Sequence, residues 1–347
     1  MTIRLGTMTA ATTIRTGPVT GPPAIDVRGL TKRYGRRTVV QNLDITVPAG
    51  VVAGFVGPNG AGKTTTLRML LGLVRPTAGG GTVLGEPLRA PEDFLPRCGA
   101  LIEGPALYPG LSGRRNLHSL AVLAGQDPAI ADDVLDQVGL AGRADDAYRT
   151  YSLGMKQRLG IGAALLSDPD LLVLDEPTNG LDPAGIRQMR DLVRSLAEAP
   201  PGERQRARTV LVSSHLLAEI EQICDWLIVL EKGRLAYQGP TASFMASTGS
   251  RVELRPESPD ALGMLADLVA GLGLPCERAG DRVLVEIRPA AATDPAGDAR
   301  PAPEPALAAV NRAAHANGIT LVEMTWRQAS LEDRYRDLVE VTAGGAQ

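Results

Sequence analysis

Aromatic residues and cysteines are scarce in this sequence. Phe, Trp and Tyr make up 3% of the 347 residues, and the only 3 cysteines are Cys98, Cys224 and Cys276. So few cysteines, spaced so widely, exclude a disulfide framework and a cysteine-based zinc site. We therefore expect three buried, free thiols of the kind found in reducing compartments.

The sequence also lacks a long apolar run, a secretory signal and a strong charge imbalance. The apolar run at 68–74 is short and begins with an arginine, whereas a membrane-spanning helix needs about 20 apolar residues. The N-terminus has no basic segment followed by an apolar one. A net charge of −3 gives no general attraction to nucleic acid. These absences predict a cytosolic chain that reaches a membrane only through a partner.

Composition divides the chain into three parts. Residues 1–23 lack periodicity, so a disordered tail is expected there, with Met8 as an alternative start to Met1. Residues 24–240 alternate strand-like and helix-like segments, which predicts an α/β domain. Within that domain, residues 104–168 are expected to form a helical subdomain. Residues 241–347 are expected to form a small accessory α+β domain.

Residues 57–64 fit the pattern G-x-x-x-x-G-K-[ST], which is typical of a phosphate-binding loop. An apolar run at 51–56 precedes the pattern and helix-like spacing follows it, as such a loop requires. Backbone N–H groups turned inward by the glycines would cradle an anion at a helix N-terminus. Lys63 would reach the β- and γ-phosphates of a nucleotide, and the Thr64 hydroxyl would bind Mg²⁺. The expected phosphate-binding residues are Gly57, Pro58, Asn59, Gly60, Ala61, Gly62, Lys63, Thr64 and Thr65.

Two further apolar runs end in side chains suited to phosphate and metal chemistry. Residues 170–174 predict a buried parallel strand, and Asp175 and Glu176 follow it. Open α/β sheets bind ligands beyond the carboxyl ends of such strands, so Asp175 is expected to hold Mg²⁺ and Glu176 to accept a proton from water. The run at 209–214 predicts another strand, from which His215 would hydrogen-bond the γ-phosphate. The simpler alternatives are a solvated turn for the acidic pair and a structural role for the histidine.

Tyr34 lies at the end of a strand-like segment upstream of the phosphate loop. Its ring would either stack on a nucleobase, a contact worth roughly 1–3 kcal/mol, or cover a sheet edge. The motifs that follow it in the chain favour stacking.

Taken in order over residues 25–239, these motifs resemble those of the ATP-binding cassette (ABC) family. Tyr34 lies where that family has its adenine-stacking residue, residues 57–64 match its phosphate loop, and residues 171–176 match its Walker B strand. Further matches are Glu103 at the Q-loop, Ser152 and Gly154 in the signature, Asp182 in the D-loop and His215 as the switch histidine. The resemblance implies an α/β P-loop NTPase with a helical subdomain, which binds ATP with Mg²⁺ and hydrolyses it.

The resemblance also implies roles that residue chemistry alone does not assign. Glu103 would act in catalysis and as a Mg²⁺ ligand, while Ser152, Gly154 and Asp182 would contact nucleotide shared by two cassettes. Two departures stand out, because the Q-loop usually has Gln and the signature is usually Leu-Ser-Gly-Gly-Gln. A carboxylate at position 103 can bind Mg²⁺ but cannot donate a hydrogen bond as an amide does. Both departures are similar to the drug- and bacitracin-export branch of the family.

The main functional hypothesis is an ATPase subunit of an exporter of a drug, antibiotic or peptide. It implies a separately encoded membrane permease, a head-to-tail pair of cassettes and a place at the cytoplasmic face of the cell membrane. The loop 104–113 offers Leu107, Tyr108 and Leu111 as a docking surface for that permease, or as a cap on the helical subdomain's own core. The alternatives are the cassette of an importer and a soluble nucleic-acid-associated ATPase. The second is disfavoured by the acidic composition, the single cassette and the absence of heptads between the motifs.

The region after 240 carries no catalytic motif. Residues 251–254, 283–287 and 319–324 predict strands, and 261–271 and 305–316 predict helices. The Ala/Pro/Asp-rich stretch 289–303 is expected to be a flexible insert.

Overall fold

The computed structural model describes residues 21–198, 207–246, 250–287, 304–327 and 330–344. Residues 1–20 of the tail expected at 1–23, and the whole insert expected at 289–303, lie outside these residues. The chain divides into two compact units, Met1–Thr241 and Ala242–Gln347. Within the described ranges, no helix is both long enough and apolar enough to cross a membrane.

The first unit contains two sheets. Its strands are β1 (Ile25–Tyr34), β2 (Arg37–Val47), β3 (Val52–Val56), β4 (Ala78–Val83), β5 (Glu86–Pro87), β6 (Cys98–Leu101), β7 (Leu171–Asp175), β8 (Thr209–Ser214), β9 (Trp226–Glu231) and β10 (Arg234–Pro240). Four of them form an antiparallel sheet in the order β2-β1-β4-β5, and the other six form a sheet in the order β10-β9-β3-β8-β7-β6. In the six-stranded sheet β9, β3, β8, β7 and β6 run parallel, and only β10 is antiparallel.

The central parallel strands are buried on both faces along their whole length. All five residues of β3 and of β7, and all six of β8, are buried. Their register aligns Val56 with Ser214 and Ser213 with Asp175, so the loops that follow the three strands start side by side. The carboxyl ends of these three strands therefore bring the phosphate loop, the acidic pair and the histidine together.

The helices of the first unit follow its strands. They are α1 (Lys63–Leu70), α2 (Pro91–Phe94), α3 (Gly113–Leu123), α4 (Ile130–Gln137), α5 (Leu153–Leu165), α6 (Pro183–Ala197) and α7 (Leu217–Ile223), and α8 (Thr241–Ala246) begins at its end. Helices α3, α4 and α5 occupy the region between β6 and β7. Ser112 caps α3 by accepting a hydrogen bond from the Arg115 N–H, as a serine at that position favours.

The second unit has the order β11 (Ser250–Pro256), α9 (Leu262–Gly271), β12 (Cys276–Ala279), β13 (Arg282–Ile287), α10 (Glu304–Ala316), β14 (Leu321–Arg327) and α11 (Leu331–Gly344). The sheet order is β12-β13-β11-β14 with antiparallel neighbours, which is the ferredoxin-like arrangement of a split βαβ motif. Buried side chains on one face of the sheet, among them Val252, Leu254 and Val283, pack with Leu265 and Val310 of the helices.

Several sequence expectations need correction. Within the helical subdomain expected at 104–168, helix α5 begins only at Leu153, because Tyr151 and Ser152 are extended and the serine caps the helix. Strand β12 was not predicted, since four residues with three exposed side chains carry no apolar alternation. The three cysteines are free thiols as expected, but only Cys224 is fully buried.

Candidate nucleotide-binding and hydrolysis site

The phosphate loop connects β3 to α1, and its first glycine, Gly57, lies where a side chain has no room. A Cβ atom at Gly57 would lie 2.4 Å from the Leu230 carbonyl oxygen. Gly62 caps α1 with φ 98°, a left-handed conformation that glycine adopts without strain. The backbone can therefore turn its N–H groups inward at a helix N-terminus, which is a favourable place for phosphate.

Lys63, the first residue of α1, is 6% exposed. Its Nζ donates to the Gly57 carbonyl oxygen at 2.8 Å and lies 3.3 Å from Glu176 Oε1. A buried ammonium group needs anionic or carbonyl partners, and this one has both. It is thus held between the phosphate loop and the acidic pair.

Thr64 and Asp175 meet across 111 positions of sequence. The Thr64 hydroxyl donates to Asp175 Oδ2 at 2.8 Å. Both are hard oxygen donors, which suit Mg²⁺. In the described parts of the chain, no group of three or more His, Cys, Asp or Glu side chains could hold a metal unaided. The donor set therefore fits an ion that one carboxylate, one hydroxyl and a nucleotide phosphate hold together.

The Glu176 carboxylate lies between two basic side chains, Lys63 and His215. Its Oε1 faces Lys63, and its Oε2 lies 2.6 Å from His215 Nδ1. The backbone of Glu176 has φ 49°, which is uncommon for a residue with a side chain. This conformation turns the carboxylate from the end of β7 toward the phosphate loop and the histidine, where it can accept a proton.

Two residues that the sequence analysis did not single out are Ser213, which contacts this acidic pair, and Thr178, which follows it by two positions. The Ser213 hydroxyl lies 2.5 Å from Asp175 Oδ1 and 2.9 Å from the Glu176 nitrogen. Thr178 donates to Glu219 Oε2 at 2.5 Å inside the protein. Ser213 precedes His215 by two positions in an extended segment, so a shared face was the one signal available in sequence.

Glu103 does not lie among these residues. It follows β6 with φ 65°, its side chain is 68% exposed, and it forms an ion pair with Arg68 of α1. A carboxylate held by an arginine is partly neutralised, so Arg68 competes with any metal for it. The structure thus gives the expected Mg²⁺ ligand a different partner.

The other predicted residues lie away from the Lys63–Glu176–His215 group in the described contacts. Tyr34 is half-exposed, with Lys32 Nζ 5.0 Å from its ring centroid.

Ser152 and Asp182 each cap a helix. Ser152 caps α5 by accepting a hydrogen bond from the Met155 N–H at 3.3 Å, and Asp182 caps α6 by accepting one from the Gly185 N–H at 2.7 Å. Both caps are exposed, and a Cβ atom at Gly180 would lie 3.0 Å from the side chain of Leu153, the residue after Ser152.

Comparison with known proteins agrees with this geometry. A profile of the ABC transporter family matches residues 40–179. The bacitracin transport ATP-binding protein BcrA of Bacillus licheniformis is 46% identical over 218 residues, which cover 62% of this chain and 69% of BcrA. The daunorubicin/doxorubicin resistance ATP-binding protein DrrA of Streptomyces peucetius is 38% identical over 273 residues, covering 76% of this chain and 80% of DrrA.

A solved ATP-binding subunit of an ABC transporter superposes with a TM-score of 0.54 at 29% identity, covering 63% of this chain and 90% of that structure. The first unit is accordingly an α/β P-loop NTPase cassette. The protein belongs to the ATP-binding subunits of ABC transporters, a family that binds and hydrolyses ATP.

Proposed function

We propose that this protein powers an exporter, hydrolysing ATP so that a separate membrane permease can expel a drug, antibiotic or peptide. The similarity to BcrA and DrrA, whose names refer to bacitracin transport and to daunorubicin/doxorubicin resistance, supports this direction of transport. The observation that carries the proposal is the group formed by Lys63, Glu176 and His215, with Thr64 and Asp175 beside it.

In this proposal each member of the group has one task. Lys63 and the phosphate loop bind the β- and γ-phosphates, and Thr64 with Asp175 would hold Mg²⁺, which supplies charge neutralisation when bound. When Lys63 turns to the phosphates, Glu176 Oε1 loses its partner and becomes able to accept a proton from the attacking water. His215 holds the other carboxylate oxygen and orients it.

Two copies are proposed to pair head to tail around nucleotide. Ser152 and Asp182 are exposed at the N-termini of α5 and α6, and neither contacts its own phosphate loop in the described residues. A helix N-terminus favours an anion, so the N-terminus of α5, with Ser152 and Gly154, is suited to the γ-phosphate held by another copy, while Asp182 would lie at the same shared nucleotide. ATP would thereby join two cassettes, and hydrolysis would release them. The pair would work at the cytoplasmic face of the membrane, held there by the permease.

The test is Glu176→Gln, which keeps the side chain's shape and removes the proton acceptor. We expect ATP to bind, hydrolysis to fall roughly 10²–10⁴-fold, and a nucleotide-bound dimer to accumulate on sizing chromatography with ATP and Mg²⁺. Glu92→Gln, at an exposed glutamate of α2, is the control and should behave as the wild type. Hydrolysis at the wild-type rate by Glu176→Gln would refute the assigned base.

Export is tested separately by expressing the chain together with a candidate permease. Cells that carry the pair should survive drug, antibiotic or peptide concentrations that kill cells carrying the Glu176→Gln pair. Accumulation of a nutrient without any gain in resistance would instead favour an importer.

A further inference from the structure

Ser213 is fully buried at the carboxyl end of β8 and pairs in register with Asp175 of β7. Its hydroxyl lies within hydrogen-bond distance of both acidic residues, 2.5 Å from Asp175 Oδ1 and 2.9 Å from the Glu176 nitrogen. A hydroxyl has one proton to donate and two lone pairs to accept with. The N–H of Glu176 can only donate, so the serine proton must go to the Asp175 carboxylate.

This one hydroxyl completes the hydrogen bonding of Asp175. Oδ1 accepts from Ser213 and Oδ2 accepts from Thr64, and the residue is 9% exposed. Without the serine, Oδ1 would be a charged oxygen with no partner from that strand, and leaving a buried acceptor unsatisfied is costly. The carboxylate would then rotate toward another donor, and Oδ2 would leave the position that faces Thr64.

Ser213 also supports the unusual backbone of Glu176. A left-handed conformation in a residue with a side chain persists only where its surroundings hold it. The Glu176 N–H donates to Ser213 twice, to the hydroxyl at 2.9 Å and to the carbonyl oxygen at 3.2 Å. Substitution by alanine removes the first contact and keeps the second, so it loosens the turn without removing it.

We propose that Ser213 is a positioning residue, whose hydroxyl sets the Asp175 carboxylate for metal binding and the Glu176 turn for proton transfer. The inference rests on the roles proposed above for those two residues. It also explains why the strand that leads to His215 matters for the acidic pair: β8 supplies the histidine partner of Glu176 and the serine that fixes its backbone.

The experiment compares Ser213→Ala with Ser214→Ala in the full-length protein. Ser214 is a matched control, since it is equally buried and its hydroxyl accepts from the Leu216 N–H at 2.9 Å. Outer hydrogen-bond partners of metal ligands typically change affinity or activity by roughly 10–100-fold. We therefore expect Ser213→Ala to lower kcat and raise the half-saturating Mg²⁺ concentration by that order. Binding of a fluorescent ATP analogue in EDTA should change less than about twofold, and Ser214→Ala should leave all three values near wild type.

Ser213→Thr restores the hydroxyl on a residue that strands tolerate, and it should recover most of the kcat and the Mg²⁺ dependence. A folded threonine variant that is as slow as the alanine variant would overturn the inference. So would equal, small losses for Ser213→Ala and Ser214→Ala.

A double-variant cycle keeps the inference testable if threonine does not fit. When Ser213 acts through Glu176, Ser213→Ala should slow the Glu176→Gln protein by less than about threefold at saturating Mg²⁺, where its effect on metal affinity no longer counts, because residues that act as a unit are not additive. The full multiplicative loss would contradict a positioning role. If Glu176→Gln alone hydrolyses ATP normally, the proposed base is wrong, and an unchanged Mg²⁺ dependence of Ser213→Ala then decides against the inference as well.

Discussion

In the first unit polar side chains gather inside the protein at the ends of parallel strands, whereas in the second they spread over one face of an antiparallel sheet. Lys63, Asp175, Thr178 and Ser213 are each less than about a tenth exposed and contact one another or a buried partner. Burying so many polar groups is unfavourable unless each finds a partner. A buried cluster of polar side chains is therefore typical of a site at which a reaction takes place.

The second unit arranges its charges differently. Arg282 of β13 pairs with Glu253 of the adjacent β11 at 2.5 Å and with Glu323 of β14, one strand further, at 3.1 Å, and Arg255 of β11 pairs with Glu323 at 3.2 Å. These side chains lie on the sheet face opposite the helices and stay in contact with water. Water and salt screen exposed pairs, so their contribution to stability is small. The comparison predicts that substitutions inside the first unit change both stability and hydrolysis, and that those on the sheet face of the second change neither greatly.

The largest effect is expected at Thr178. Thr178→Val leaves Glu219 buried without its hydrogen bond, and among the described residues Glu219 Oε1 already has no partner. An unsatisfied buried group costs about 1–3 kcal/mol, more when charged, so the first unit should lose at least that much stability and hydrolyse ATP more slowly. Trp226 lies in the first unit and Trp326 in the second, so denaturant unfolding in a Trp326→Phe background follows the first unit alone.

Two further variants sharpen this prediction. Thr178→Val with Glu219→Met replaces both partners by apolar groups and should recover most of the stability. Thr150→Val, at an exposed threonine that contacts only a local carbonyl oxygen in the described structure, should leave stability within about 0.5 kcal/mol. If Thr178→Val is no less stable than Thr150→Val, the contrast between buried and exposed polar groups does not hold.

Some residues of the candidate site could be predicted from the sequence, and others could not. The phosphate loop follows from a pattern of eight adjacent positions, and Asp175 and His215 follow from the rule that ends of parallel strands meet. The contacts of Ser213 with Asp175 and of Thr178 with Glu219 join residues 38 and 41 positions apart, and no local pattern identifies the partner of either residue. They depend on strand register and side-chain rotamers, which only the folded chain fixes. The same holds for the pairing of Glu103 with Arg68.

The second prediction concerns exposed apolar groups in the first unit. Tyr108 is 67% exposed, Leu107 and Leu111 are half-buried, and the buried Asn116 holds the loop by hydrogen bonds to both backbone groups of Tyr108. An ordered loop that presents a tyrosine to solvent is suited to docking on a permease. Tyr108→Ala with Leu111→Ala should abolish co-purification with the permease, since anchor residues commonly contribute more than about 1 kcal/mol each.

The same double variant should keep normal ATP binding and melt within a few degrees of wild type. Val122→Ala with Leu123→Ala removes apolar groups that are as exposed, on the last turn of α3, and serves as the control. Normal co-purification of the Tyr108/Leu111 variant, together with a melting temperature several degrees lower, would show that the loop serves the fold.

The third prediction concerns the Arg68–Glu103 pair, which is exposed yet lies in the first unit. It tests whether the exposure of a side chain or its place in the first unit decides how strongly a substitution changes hydrolysis. Glu103→Gln removes the ion pair and keeps a polar group of the same size, so hydrolysis should change less than about threefold. Glu103→Ala should leave ATP affinity near wild type and lower the ATPase stimulation by the permease. Arg68→Ala should match Glu103→Ala if the pair itself anchors the loop. A severe loss of ATP affinity in both Glu103 variants would show instead that this carboxylate binds the nucleotide's metal.

The smallest effect is expected at Glu323 of the second unit. Burial raises the pKa of its carboxyl, but the hydrogen bond from Arg255 and the charge of Arg282 outweigh it and leave the pKa below the ordinary value of 4.5. A carboxyl with a lowered pKa in the folded state adds stability above the unfolded-state pKa, and that stability is lost as the pH falls through the folded-state pKa. Glu323→Gln should therefore unfold slightly more easily than wild type at pH 7, and the difference should shrink below pH 4.5.

A Trp226→Phe background leaves Trp326 as the probe, so denaturant unfolding at several pH values reports on the second unit. Glu257→Gln, at an exposed glutamate that follows β11, is the control and should show a smaller change with pH. ATP hydrolysis by Glu323→Gln should stay within about twofold of wild type, because an ion pair exposed to water contributes little free energy to the structure around it. A loss of hydrolysis as large as that of Thr178→Val would mean that the charged sheet face takes part in the ATPase cycle, and the two units would then share one function instead of dividing it.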